Sequence, residues 1–231
     1  MIIRKQPRNG VDQYTKLLIT SNNADGATAF TDISGREHTV SAVGDIHHET
    51  DKIWYGKSSI YCDGNDDNLE IPYNADWDLG GGDFTLDLFA NFSASKESGL
   101  ISHWSASPNY GWLFYWTGSA LFFQWSTTGT DAGNFQSRSF GADLGTWYHI
   151  EVSRNGNDLR FFYNGTQLGT TATISATIYN PSQPLRIGRY ITTGGDGSSD
   201  LQGYIDNVRV RKGVGGHTAN FKPPVRQYTG P

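Results

Sequence analysis

Residues 145–169 read GTWYHIEVSRNGNDLRFFYNGTQLG, two strands and two turns that together set the fold class. Across 147–153, Tyr148, Ile150 and Val152 alternate with Trp147, His149, Glu151 and Ser153. A period of two marks a strand with one buried face. The run 154–158, Arg-Asn-Gly-Asn-Asp, interrupts the pattern with residues that tolerate positive φ and cap turns through their own side chains. Alternation resumes at Leu159, Phe161 and Tyr163 and stops at Asn164-Gly165. That dipeptide suits a type I′ hairpin, whose two central residues both need φ above zero. The stretch predicts an antiparallel meander.

The pattern extends outward in both directions. Strands are predicted at 16–19, at 58–63 and 69–71 around an acidic turn, and at 83–92, where Phe84, Leu86, Leu88, Ala90 and Phe92 share one face. Further strands are predicted at 110–116, 121–125, 174–178, 185–188 and 203–213. The segments 110–116 and 121–125 are apolar on both faces, although a sandwich strand needs only one. Their second face must be covered by loops, covered by a partner, or used to stack ligands. Residues 42–56, which include His47, His48 and Trp54, read as a solvated connection. Adjacent histidines on an extended chain point to opposite sides and cannot readily share a metal. Residues 192–200 read as a surface loop. Asp63, Asp66 and Asp67 in the acidic turn could ligate a hard cation, but Asp, Asn and Gly are also what turns are made of, and the turn reading is favoured.

Composition agrees with an all-β class. The 231 residues include 28 Gly, 7 Trp, 12 Tyr and 12 Phe, with only 18% charged residues, and one sandwich can span this length. A net charge of −5 excludes the basic stripe that nucleic-acid binding requires. No apolar run approaches a membrane span, and the first residues lack the apolar core of a secretory signal. The single cysteine, Cys62, excludes an internal disulfide and, alternating with Ile60, reads as a small buried hydrophobe.

The motif G-T-W-Y-H followed by R-N-G-N-D-L-R-F-F-Y-N-G resembles the signature of laminin G-like domains, members of the concanavalin A-like jelly-roll superfamily. The resemblance continues in T-K-L-L at 15–18, F-T-D-I-S-G at 30–35, G-D-F-T at 82–85 and G-Y-I-D-N-V-R at 203–209. It implies an all-β, two-sheet antiparallel jelly-roll sandwich over residues 15–221. An extended arm (1–14) would precede it and a tail (222–231) would leave the domain. The superfamily contains lectins and glycoside hydrolases. Hydrolases of the laminarinase type carry E-x-D-x-x-E or E-x-D-x-E on one strand, which places two carboxylates across the scissile bond. No such run exists here, so the chain reads as not an enzyme.

Two sets of residues stand out as candidate ligand sites. Trp104, Tyr110, Trp112, Trp116, Trp125 and Tyr190 could stack on the apolar faces of sugar rings, although core packing is the commoner fate of any one of them. Asp206 shares parity with Tyr204, Val208 and Val210, which places a carboxylate on an apolar face that must supply donors or a cation. The resemblance implies a structural calcium there. A hydrogen-bonded aspartate pinning the last strand to the first loop is the favoured alternative, because the other oxygen ligands are not identifiable.

The motif set also resembles single-domain modules common in tailed-phage structural proteins. This implies a non-catalytic virion decoration or tail protein, made in host cytoplasm, meeting a capsid or tail partner through its termini and displaying a glycan-binding surface. Oligomers are compatible with that role. The alternative is a free-standing extracellular lectin or adhesion module.

Overall fold

The computed structural model describes residues 11–192 and 198–230. Residues 1–10 of the expected arm, 193–197 of the expected loop and Pro231 lie outside the described residues. In chain order the strands are β1 (Thr15–Ile19), β2 (Ser41–Val43), β3 (His47–Glu49), β4 (Ser59–Asp63), β5 (Asn68–Ile71), β6 (Phe84–Phe92), β7 (Ser98–His103), β8 (Trp112–Trp116) and β9 (Ala120–Trp125). They continue as β10 (Asn134–Ser139), β11 (Trp147–Asn155), β12 (Asp158–Tyr163), β13 (Thr166–Gln167), β14 (Ala172–Thr173), β15 (Leu185–Ile187), β16 (Arg189–Ile191), β17 (Ser198–Asp200) and β18 (Gln202–Lys212).

Two large antiparallel sheets form a sandwich, as the alternation requires. The first runs β13-β12-β11-β6-β18-β4-β3, with β1 beside β18 and β14 beside β12. The second runs β10-β9-β8-β7-β15-β5-β2. The meander expected at 147–163 is present, with Val152 opposite Phe161, and Asn164 and Gly165 take φ of 45° and 76° at its hairpin turn. Inward side chains of both sheets, including Leu86, Leu88, Phe92, Phe114, Trp116, Ile150 and Phe161, make one continuous core.

Several expectations are corrected. Residues 42–56 are not merely a connection: β2 and β3 add edge strands to the two sheets. His48 is buried with its ring 4.2 Å from that of Phe30, while His47 lies on the opposite side against Tyr61. In the expected surface loop 192–200, Ser198–Asp200 pairs with Arg189–Ile191. Of 174–178, Ile174 and Ile178 are buried but not in a strand.

The largest correction concerns the C-terminal tail. It does not leave the domain but crosses the outer face of the first sheet. That face presents Thr85 and Asp87 from β6, Glu151 from β11, and Arg209 from β18, with Asp87 directly opposite both Glu151 and Arg209. Asp87 and Glu151 are fully buried. Residues 214–230 supply their cover. Thr85 Oγ1 donates to Val214 O at 3.2 Å, His217 Nδ1 meets Glu151 Oε2 at 3.0 Å, and Phe221 N donates to Gly165 O at 2.8 Å. Tyr228 then donates its hydroxyl to Asp87 Oδ1 at 3.2 Å, and the Arg209 guanidinium lies 4.3 Å from the centre of its ring. Tyr228 is only 5% exposed. It is the anchor of the tail.

Truncating that anchor tests the docking. Tyr228→Ala is expected to cost about 3–5 kcal/mol in urea unfolding, as for other large-to-small changes at buried aromatic positions. Tyr228→Phe removes only a hydrogen bond to a charged group and is expected to cost about 1.5–3 kcal/mol. Two variants indistinguishable from the parent chain would mean that the tail is undocked in solution.

Candidate functional site

The six aromatic residues singled out from the sequence are brought together in part, but buried. Trp112 and Trp116 point into the core and donate their indole N–H groups to Trp77 O at 2.8 Å and Phe140 O at 2.9 Å. Trp125 joins the same core at 6% exposure. Trp104, Tyr110 and Tyr190 gather with Leu113 and Tyr115 on the outer side of the second sheet. There the Trp104 and Tyr110 rings stack at 4.5 Å. The outer side of β8 is therefore covered by the chain itself, while on β9 Phe122 stays half-buried beside the exposed Phe135. None of the four tryptophans forms an open stacking surface, because the tryptophan set satisfies two cores at once.

Asp206 is fully buried, but its neighbours differ from the sequence reading. The register of β18 against β6 shifts between Asp206 and Arg209, where Asn207 adopts φ of 51°. This β-bulge reverses side-chain parity. Tyr204 and Asp206 face outward, while Ile205, Val208 and Val210 face the core. Asp206 Oδ1 accepts from Asn207 N at 2.7 Å and Ser21 N at 3.2 Å. Desolvation pushes its pKa up to about 7, against the N–H groups of Asn207 and Ser21 and further help from Gln227 and Tyr55. The aspartate thus joins the first loop, the 54–55 segment and the tail. Its donor set is N–H groups rather than oxygens, which does not fit calcium, and no cluster of three His, Cys, Asp or Glu side chains suited to a metal occurs among the described residues. The acidic turn behaves likewise. Asp67 Oδ2 accepts from Asp63 N at 2.8 Å, and Oδ1 from Asp45 N at 2.5 Å.

Two carboxylates do face each other, Asp87 and Glu151, on neighbouring strands. A search along single strands could not find a pair made by register. Arg209 Nε lies 2.8 Å from Asp87 Oδ2 and His149 Nε2 3.6 Å from Oδ1. Burial pushes the Asp87 carboxyl up, but the Arg209 charge, aided by His149, outweighs it and holds the group below the ordinary carboxylate range. This pair is sealed and neutralised.

The other half of the same face is open. His47, Tyr61, Tyr204, Asn91 and Trp147 are direct register partners across β3, β4, β18, β6 and β11. Residues paired directly share a face, so they form one row. His47, Tyr61, Tyr204 and Trp147 are half-buried, and Asn91 between them is buried. Beside the row, Trp54 is 41% exposed, with its ring 6.0 Å from Trp147 and 5.6 Å from Phe89. Tyr55 holds this loop in place: its ring packs edge-on at 5.3 Å against Phe89, and its hydroxyl donates to Pro224 O of the tail. Sequence reasoning missed these residues. The available signal was aromatic rings at Tyr61 and Trp147 on the strand parity opposite to Ile60 and Ile150.

The sequence model of the laminin G group within the concanavalin A-like lectin/glucanases superfamily matches residues 63–214. The chain belongs to that superfamily. The matched part of this concanavalin A-like chain covers β5 to β18 of the sandwich; β1, β2, β3, nearly all of β4, Trp54 and the docked tail beyond Val214 lie outside it. Among solved structures, it is similar to the botulinum neurotoxin serotype D ligand binding domain in complex with N-acetylneuraminic acid (TM-score 0.64, 13% identity, covering 87% of this chain and 48% of that one). It is also similar to the binding domain of Paraclostridial Mosquitocidal Protein 1 (0.63, 12%, 87% and 49%). A third is a botulinum neurotoxin type C structure whose cell entry is described as dependent on two ganglioside molecules (0.59, 16%, 87% and 48%). The chain spans about half the length of these structures. No curated protein sequence is significantly similar to it.

The buried Asp206 makes stability depend on pH. An acid whose pKa is raised on folding binds its proton more tightly when folded, so its contribution is complete below the unfolded value near 3.8 and is lost as pH rises through about 7. Asp206→Asn is expected to flatten the urea stability profile between pH 4 and 7, removing a slope worth up to about 4 kcal/mol. Parallel profiles for parent and variant would refute the assignment, and a chelator is expected to leave both unfolding curves unchanged.

Proposed function

We propose that this chain is a non-catalytic glycan-recognition module whose contact surface is the open row on the first sheet. The observation that carries this reading is the exposed Trp54 ring set beside Trp147, at the end of a row that continues through Tyr204 and Tyr61. Sugar rings stack their apolar faces on such aromatics, while their hydroxyls need polar neighbours of the kind supplied here by Glu49 and Asp63. The similar neurotoxin structures, one in complex with N-acetylneuraminic acid and one of a toxin whose cell entry depends on two ganglioside molecules, support carbohydrate binding as a use of this fold. The sealed state of Asp87 and Glu151 supports recognition without turnover.

The phage-type motifs support a further reading, in which the module is carried on a virion and joined to a capsid or tail protein. Mass spectrometry of purified particles is expected to detect the chain. Its presence only in the free extracellular fraction would favour a stand-alone lectin.

Binding is tested on a glycan array followed by calorimetry. Trp54→Ala and Trp147→Ala are each expected to weaken the best ligand by about tenfold or more, near 1.4 kcal/mol, with the circular dichroism spectrum unchanged. Reducing-sugar release from the same glycans is expected to stay at background. Full affinity in both variants would overturn the placement, and turnover lost on Asp87→Asn or Glu151→Gln would overturn the non-catalytic reading.

A further inference from the structure

Resting on the glycan-recognition reading above, we propose that the open row takes an internal stretch of a linear polysaccharide that carries no carboxylate or sulfate, laid across β3, β4, β18, β6 and β11. Length argues first. The row crosses five adjacent strands, and four gaps of about 4.8 Å make about 19 Å, far more than one pyranose ring needs. Among the described residues nothing closes its β3 end, where a hollow of about 430 Å³ lined by Gly26, Thr28, Gly44, Asp45 and His47 adjoins His47. A surface of this length with an open end suits the middle of a chain rather than a terminal sugar.

Charge argues for the absence of anions. Glu49, Asp51 and Asp63 border the row. Burial raises the phenol pKa of Tyr61, with Asp63 and Glu49 adding to it, and burial likewise raises that of Tyr204, with Glu49 and Asp51 adding. His47 already faces Glu49 at 3.6 Å. The Trp54 loop carries two bases, Lys52 and Lys57, and Lys96 at the Asp63 end spends its ammonium on Gly64 O at 2.8 Å. An anionic chain lying here would set its own charges against these carboxylates. At mid-row, Asn91 donates to Gly145 O at 2.8 Å, and its Oδ1 has no hydrogen-bond partner among the described residues.

Calorimetry with matched oligosaccharide series tests this, using neutral β-glucan, chitosan and alginate oligomers from disaccharide to hexasaccharide. Affinity for a neutral or amino-sugar series is expected to rise by about tenfold or more with length, while alginate of any length fails to bind. Tyr61→Ala combined with Tyr204→Ala is expected to erase the length dependence and keep the disaccharide affinity. Glu49→Lys combined with Asp51→Lys is expected to admit alginate. Length-independent binding, or alginate bound as well as the neutral series, overturns the polymer proposal but leaves glycan recognition standing. Failure of every glycan, with Trp54 fluorescence unmoved throughout, overturns both.

Discussion

A carboxylate placed at the centre of a nine-stranded sheet has to be neutralised, and in this protein Asp87 is met by Arg209 at 2.8 Å on the neighbouring strand. Such a pair is costly to bury and still more costly to break, because an uncompensated interior charge is worth about 3–5 kcal/mol. Its other contacts follow from that constraint. Asp87 has a second oxygen to satisfy, and Tyr228 supplies the hydroxyl. To deliver it, the chain returns after β18 across part of the face, meeting Glu151 through His217 and the hairpin turn at Gly165 on the way.

The return divides one sheet face into two regions of opposite character. Under the tail lie ionised groups shut away from water. Beyond it lie half-exposed aromatic rings. The two are mechanically linked, since the tail accepts the Tyr55 hydroxyl at Pro224 and Asp206 ties Ser21 to the strand bearing Tyr204. The loop that presents Trp54 thus rests on the docked tail, so the proposed recognition surface shares the polar network that holds the chain end. On the second sheet Trp104, Tyr110, Tyr115 and Tyr190 are buried on the outer side, and exposed Phe135 lies beside half-buried Phe122 at the β9–β10 edge.

The sandwich was legible in the sequence wherever alternation and a turn agreed, as at β11, β12 and the Asn164-Gly165 hairpin. Asp206 was legible as a buried carboxylate but not in its facing, since one inserted residue at Asn207 reverses parity and leaves the composition of the strand unchanged. The doubly apolar β8 was read correctly as needing cover, yet the identity of that cover depended on tertiary packing. Tyr228 sits among prolines with little apolar company, so its burial could be understood only once Asp87 and Arg209 were seen beneath it. The open row escaped for a related reason. Each of its members comes from a different strand, and only register brings them side by side.

The seven tryptophans offer a direct test of the proposed glycan surface. Trp77, Trp104, Trp112 and Trp116 are fully buried and Trp125 nearly so, while Trp54 and Trp147 border the open row. The indole N–H resonances can be followed by NMR during titration with a neutral oligosaccharide. The expected result is movement of the Trp54 and Trp147 signals with the other five stationary. Movement confined to Trp104 and Trp125 would place the ligand on the second sheet and contradict this account.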